Sequence, residues 1–362
     1  MSNTNKHNSS VSSSQPAETA LLSAALHGDS QQFGELTEPY RRELQVHCYR
    51  ILGSLHEAED MVQETILKAW KRLATYESRA SFRSWLYKIA TNTCLDFLDQ
   101  RRSRRLLPFN VNSASDPNAS ILPPLAEITW LEPFPDEWLG DKTALNPEAR
   151  YTNSESISLA FLTALQTLPP RQRAVLILRD VLEFSALETA DVLELTVPSV
   201  NSALHRARTT LSQRYHRGKL EDSTMSSTDE RTQWLLEHFV QAWESADVEG
   251  LVALLKADAA FAMPPSPSWY QGHQAIGIFA ATTVFGDGGM FPGKAINRWR
   301  LLPTRANGSP AFAIYQRHEK DEYHAFGLIA LILDGNKLSQ IISFIDPSLP
   351  PLFGFPTTIG NS

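Results

Sequence analysis

Two cysteines, Cys48 and Cys94, are all that 362 residues contain. That is too few for a disulfide framework or a thiolate metal site. Both fall inside apolar helical patterns, so a reducing cytoplasm is the expected setting. Long apolar runs are missing as well, and no stretch is apolar enough to span a bilayer. The opening MSNTNKHNSSVSSSQPAETA is rich in Ser and Asn and lacks the apolar centre of a secretory signal, which makes it a disordered tail. A basic excess is absent too: the formal charge of -7 argues against a protein coated in nucleic acid, although the mean leaves room for local basic runs. Glycine and proline hardly enter the elements of residues 20–105. A compact helical bundle is the expectation there.

What is present suffices for two or three separate cores, since 42% of the chain is hydrophobic. After the tail, residues 1–19, and the helical region, 20–105, the texture changes. Residues 106–155 are rich in proline and acids and read as an extended linker. Helical periodicity returns over 156–216 in short pieces, and a polar break, 217–229, follows. From residue 230 to 362 an amphipathic helix with Trp234, Leu235, Phe239 and Trp243 precedes the strand-like runs AFAIYQRH, YHAFGLIALIL and KLSQIISFI. The last third is α+β.

The stretch AEDMVQETILKAW, from Ala58 to Trp70, reads as a helix with two contrasting faces. Val62, Ile66, Ala69 and Leu73 recur at helical spacing as an inward stripe. Asp60, Gln63 and Glu64 sit together on another face, which Leu67 extends. A solvated face usually mixes acids with lysines. A compact acid-amide-acid patch bordered by an exposed leucine suits a docking surface for a basic partner.

Two further segments suit nucleic acid. SFRSWLYKIATNTCLDFLDQRRSRR combines Phe82, Trp85 and Tyr87 with Arg83, Lys88, Arg101, Arg102, Arg104 and Arg105. Aromatic rings stack on unpaired bases and guanidinium groups neutralise phosphates. Ordinary core packing is the commoner reading for any one of these aromatics, and it accounts for Trp85, Ile89, Leu95 and Leu98 as well. In LPPRQRAVLILRDVLEFSALETADVLELTVPSVNSALHRARTTL, Thr196 is the expected N-cap and Pro198 falls in the first turn. Val200, Ala203, Leu204, Ala207 and Leu211 form the buried stripe of the second helix of a helix-turn-helix. Asn201, Ser202, His205 and Arg206 point elsewhere, with Ser199 and Arg208 nearby. Amide, hydroxyl, imidazole and guanidinium groups on such a face are suited to reading base edges and positioning phosphates.

Together these motifs resemble an RNA polymerase sigma factor of the sigma-70 family, in the extracytoplasmic-function group. The segment with AEDMVQETILKAW resembles region two, and LPPRQRAVLILRD with SVNSALHRAR resembles region four. WLEPFPD and the closing FGFP resemble a subgroup with a fused C-terminal domain of the SnoaL or NTF2-like type. The resemblance implies a multidomain chain: a helical bundle and a helix-turn-helix domain, both all-α, followed by an α+β cone.

It also implies roles. Asp60, Gln63, Glu64 and Leu67 would meet the clamp helices of the polymerase β′ subunit, and region four would meet the β flap. Residues 82–96 would recognise and melt the minus-ten element, with Asn92 near a flipped base. Region four would read the minus-thirty-five element through Ser199, Asn201, Ser202, His205, Arg206 and Arg208, while Arg171 and Arg173 hold phosphates. The acidic linker would thread toward the RNA path. No cofactor, metal or catalytic residue is implied, and no membrane partner. The sequence departs from the family at Glu194, where this turn often has Gly, at Ile66, which replaces a common aromatic, and at Asp99 and Gln100, which dilute the basic helix end.

In the C-terminal domain Met263, Trp269, Tyr270, His273, Trp299 and His324 are candidate pocket residues for a small-molecule ligand. His273, His318, His324, Asp287 and Asp346 show no recognisable metal-ligand spacing. Two other functions stay open on the residues alone. A helix-turn-helix regulator that does not bind polymerase leaves the acidic face idle, and an enzyme of the ketosteroid-isomerase type needs a carboxylate base beside an oxyanion donor.

Overall fold

The computed structural model describes residues 14–78, 80–101, 105–125, 128–139, 155–214, 230–287, 291, 293–318 and 322–360. The chain divides into two compact units that do not follow chain order: residues 1–102 with 169–208, and residues 103–168 with 209–362. Most of the expected tail, Arg102, Arg104 and the whole break at 217–229 lie outside the described residues. No helix among the described residues is long and apolar enough to cross a membrane.

In the first unit, α1 (Ser14–Leu26), α2 (Ser30–Leu52), α3 (Leu55–Arg72) and α4 (Phe82–Arg101) form the expected bundle. The sequence writes its own breaks. The Asp29 carboxylate accepts from the N–H groups of Gln31 and Gln32 and starts α2. Gly53 ends it at φ 73°, a left-handed backbone that disfavours any Cβ. Ser54 then caps α3 by accepting from the N–H of Glu57. Leu55, Ala58, Val62 and Ala69 of α3 are buried, and each large apolar side chain so removed from water contributes roughly 1.5–3 kcal/mol. Ile66 is half-buried. Inside the bundle Cys48 and Cys94 are both buried, and burial pushes the Cys94 thiol up, as an inert core thiol requires.

Helix α5 (Leu159–Gln166) is gathered with the second unit. The first unit resumes with α6 (Pro170–Leu176), which widens into a π turn over Ile177–Val181, and then α7 (Ala186–Leu193) and α8 (Val197–Arg214). Ser185 and Glu188 bond reciprocally at the start of α7. Glu194 ends that helix in the left-handed region at φ 54°. As expected, Thr196 caps α8, accepting from the N–H of Ser199 at 3.3 Å.

The second unit contains a parallel pair, β1 (Arg105–Leu106) with β2 (Thr129–Trp130), and helices α9 (Glu230–Glu244), α10 (Val248–Leu254) and α11 (His273–Phe279). Its main sheet runs in the order β4 (Trp269–Gln271), β3 (Leu255–Ala262), β8 (Lys337–Phe344), β7 (Tyr323–Asp334), β6 (Ser309–Arg317) and β5 (Trp299–Ala306). A short β9 (Thr358–Ile359) pairs with β7, and within this sheet β3–β8 is parallel while the other pairs are antiparallel. The three strand-like runs of the sequence are β6, β7 and β8. Leu235, Phe239 and Trp243 of α9 share one core with Phe261, Ile329 and Ile341 of the sheet. On the opposite face Ala313, Tyr315 and Tyr323 pack under Phe355 and Ile359, and the Tyr315 hydroxyl donates to the Pro356 carbonyl at 2.6 Å. The closing FGFP therefore seals the back of the sheet. This is the α+β arrangement, helices packed on one mixed sheet, expected after two helical regions.

The described part of the linker is no free strap. The Trp269 indole donates to the Asn112 carbonyl at 2.9 Å, Leu122 exchanges main-chain bonds with the hydroxyls of Ser266 and Ser268, and Ile121 packs on the core. Phe134 is fully buried, and its N–H donates to the side-chain oxygen of Asn307 at 2.8 Å while its carbonyl accepts from the Asn307 N–H at 3.0 Å. The Asn307 amide also donates to the Ile157 carbonyl at 2.6 Å. Asp136 accepts from the Gly308 N–H at 2.8 Å and from Arg305 at 3.2 Å. Asn307 and Gly308, at φ 55° and 77°, are the two turn residues joining β5 to β6, a conformation that Asn and Gly adopt most readily. The hairpin tip thus holds the WLEPFPD segment. Residues 140–154 of the expected linker lie outside the described residues.

Candidate polymerase and promoter interfaces

Because Val62 and Ala69 turn inward, the helical repeat forces Asp60, Gln63, Glu64 and Leu67 outward, and all four are exposed on α3. Leu67 is 54% accessible, high for a leucine inside a well-packed helix. Glu64 faces Lys68 at 3.7 Å along the same helix, a pairing of the kind that contributes a few tenths of a kcal/mol. The patch keeps its negative sign and an apolar border.

The residues expected to open promoter DNA are less uniform. Phe82 is core: it packs against Tyr40, Tyr76 and Trp85 at ring separations of 5.8, 5.6 and 5.6 Å. Tyr87 is buried as well, its ring on His47 and its hydroxyl bonded to Glu43; burial and the Glu43 charge push that hydroxyl up. Arg83 forks onto the same Glu43 carboxylate at 2.8–3.0 Å. Trp85 is half-buried and Arg101 exposed, the latter paired with Glu57 at 3.1 Å and lying over Phe97. Lys88 reaches Asp191 at 3.3 Å, and the Asn92 amide donates to the Val192 carbonyl at 3.1 Å. This face of α4 therefore packs on α7.

Two arginines sit where phosphate could not reach them. Arg173 is 2% accessible, and its guanidinium donates to the Ile51 carbonyl at the end of α2. Arg105 is buried in the second unit, donating to the Trp130 carbonyl at 2.7 Å and facing Glu132 at 3.5 Å. Arg171, at the start of α6, is exposed. On α8, Val200, Ala203, Leu204 and Ala207 are buried, and Ser199, Asn201, Ser202, His205, Arg206 and Arg208 are exposed. Arg208 is held by Asp180 at 2.6 Å, which raises its already high pKa.

The candidate pocket residues fall in different environments. Met263, Tyr270 and Trp299 belong to the core; Tyr270 stacks on Phe279 at 4.2 Å. Trp269 serves the linker, His273 opens α11 half-buried, and His324 is exposed on the β6–β7 hairpin. Among the described residues, no three His, Cys, Asp or Glu side chains are gathered as a ready metal site. Sequence reasoning missed Glu43, Asp191 and Asn307. Only the last left a signal, an Asn-Gly pair between two strand-like runs.

Comparison with known proteins settles the family. The description "Sigma-70 region 2" matches residues 36–104, and "Sigma-70, region 4" matches 158–211. The ECF RNA polymerase sigma factor SigG of Mycobacterium tuberculosis is 42% identical over 329 residues, which cover 90% of this chain and 85% of SigG. The chain belongs to the ECF RNA polymerase sigma factors. SigW of Bacillus subtilis, also an ECF sigma factor, is 28% identical over 184 residues, 51% of this chain and 89% of its own. The crystal structure of the M. tuberculosis extracytoplasmic function sigma factor SigJ superposes with a TM-score of 0.53 at 19% identity, covering 89% of this chain and 99% of that one, a likeness of fold. This sigma factor carries regions two and four, whose office is promoter recognition with core RNA polymerase. The polymerase-free regulator and the isomerase-type enzyme are not favoured.

Proposed function

We propose that this ECF sigma factor docks on core polymerase through Asp60, Gln63, Glu64 and Leu67 of α3, and reads promoter DNA through α4 and α8. The observation that carries the reading is the split character of α3: one stripe is fixed in the bundle while four adjacent acidic, amide and apolar side chains face outward. Charge-assisted bonds from such a patch to arginines orient a partner, and Leu67 adds a small apolar anchor. The partner chemistry fits the β′ clamp helices. On the DNA side, the exposed row Ser199, Asn201, Ser202, His205 and Arg206 contacts the minus-thirty-five element, with region four also seated on the β flap. Trp85, Lys88 and Asn92 contact the minus-ten element once α7 leaves α4.

The role is non-catalytic: the protein selects where polymerase starts, in the cytoplasm. The C-terminal domain regulates it by holding the Phe134–Asp136 segment of the linker on its Asn307–Gly308 turn. In the test, Asp60→Lys with Glu64→Lys is compared with the parent for retention on purified core enzyme. Loss of holoenzyme with the helical spectrum unchanged supports the assignment, and full assembly overturns it. Deleting residues 230–362 changes promoter-directed transcription if the domain regulates; unchanged output counts against that part.

A further inference from the structure

The widened turn between α6 and α7 sets one acidic side chain against α8. Over Ile177–Val181 the backbone opens to a π turn, in which the Leu182 N–H reaches back five residues to the Ile177 carbonyl at 3.0 Å. Such a bond inserts an extra residue and shifts the phase of the side chains within the turn. Asp180, inside it, faces α8, and its two carboxylate oxygens accept from Nε and Nη2 of Arg208 at 2.9 and 2.6 Å. Two parallel bonds between planar groups fix orientation as well as distance. Arg208 follows the fully buried Ala207 and stands seven residues past Asn201, about 10 Å along the helix axis. In this kind of motif the N-terminal part of the second helix meets the bases. The fork therefore grips α8 beyond its reading row, not within it.

We infer that Asp180 is a positioning residue for promoter recognition: through Arg208 it fixes the rotation of α8 about its own axis, and Arg208 serves this clamp instead of a DNA phosphate. The inference rests on the reading that α8 contacts the minus-thirty-five element. Asn201, Ser202, His205 and Arg206 are the side chains it aligns. A recognition site must be held within roughly 0.5 Å and 10–20° of its working geometry. At about 5 Å from a helix axis, a roll of 20° moves a side-chain tip by nearly 2 Å. A restraint on the roll of α8 is therefore a restraint on which bases it reads. The same fork argues against a phosphate role for Arg208, because the carboxylate occupies Nε and Nη2 and cancels the charge that draws a phosphate.

The test uses holoenzyme assembled on purified core polymerase. Its affinity for a promoter fragment that the parent transcribes is compared with its affinity for the same fragment with a scrambled minus-thirty-five element. The variants are Asp180→Asn, Arg208→Lys and the charge swap Asp180→Arg with Arg208→Asp, and thermal unfolding checks that each folds as the parent does. Discrimination between the fragments should fall roughly tenfold in the two single variants, the size of one lost base contact. Lysine keeps the charge but cannot fork. The charge swap should recover most of the loss, with the slope of log affinity against log salt unchanged, whereas losing a phosphate ligand at position 208 would lower that slope by about 0.9. Unchanged discrimination in the single variants overturns the proposal, and so does a lowered slope in the charge swap. An Asp180→Asn holoenzyme that binds both fragments more tightly overturns it too, since Arg208 would then be a phosphate ligand that Asp180 had masked. Arg206→Gln tests the underlying reading separately. If it also leaves discrimination intact, α8 does not read the element and the clamp falls with that reading; if it alone loses discrimination, the clamp fails and the reading stands.

Discussion

The Asn92 side-chain amide donates to the main-chain carbonyl of Val192 at 3.1 Å, and one turn earlier Lys88 reaches Asp191. Both donors belong to the helix proposed to meet the minus-ten element, and both acceptors belong to region four. A lysine paired with a carboxylate is a weaker phosphate ligand than a free one. The pair is exposed, so it contributes at most about 1 kcal/mol to stability. Asp191→Lys should therefore leave folding nearly unchanged while raising the affinity of the full-length protein for a promoter fragment severalfold. Lys88→Ala should lower it. Fluorescence anisotropy at fixed salt reads both, and equal affinities across the three proteins would show that this contact does not compete with DNA.

The hold on the linker is the second target. Asn307 is 1% accessible and satisfies both the Phe134 N–H and the Ile157 carbonyl. Asn307→Ala removes both bonds and forces alanine into a left-handed backbone, with an expected cost of about 2–4 kcal/mol. Asn307→Asp keeps the acceptor for the Phe134 N–H but sets a buried carboxylate oxygen against the Ile157 carbonyl, and should cost at least as much. Limited proteolysis of residues 112–139 gives the local readout: cleavage should be faster in both variants than in the parent. An unchanged cleavage rate in the alanine variant would mean that other contacts hold the segment.

Much of this architecture is legible in the sequence because it is local. The α3 stripe, the Thr196 cap and the three long strands follow from periods of 3.6 and 2 and from capping chemistry. The exposed rows on α3 and α8 follow from the same periods. What could not be read was long-range. Nothing near Arg173 says that its guanidinium ends on Ile51, and nothing near Phe82 distinguishes a base platform from a partner of Tyr40 and Tyr76. The linker's composition describes a solvated strap, but composition is silent on a partner 172 residues away, the separation between Asp136 and Gly308.

Glu194 offers a test at a single backbone angle. Its φ of 54° ends α7 before the turn into α8, and a left-handed conformation costs a residue with a Cβ roughly 1–2 kcal/mol. Glycine adopts it freely, so Glu194→Gly should raise unfolding stability by about 1 kcal/mol in urea. The side chain is exposed, so little packing is lost. A destabilised variant would show that Glu194 makes a compensating contact.

His47 gives region two a pH dependence of definite sign. The imidazole is buried between α2 and α4 on Thr91 and Tyr87. Burial, reinforced by the charges of Arg50 and Arg83, lowers its pKa from 6.5 to about 3. The folded protein thus keeps His47 neutral, whereas the unfolded chain protonates it below its ordinary pKa. Stability from this group is intact above that pKa and falls as pH drops from 6.5 toward 3, because the unfolded state then binds the extra proton. Between pH 7 and pH 5 the loss should be about 2 kcal/mol, at ~1.4 kcal/mol per pH unit below the unfolded pKa. Urea unfolding at both pH values, for the parent and for His47→Gln, isolates the contribution. Glutamine can still bond Thr91 but takes up no proton, so its stability should fall between the two pH values by about 2 kcal/mol less than the parent's. Equal pH sensitivity in both proteins would show that the imidazole reaches water and protonates in the folded state.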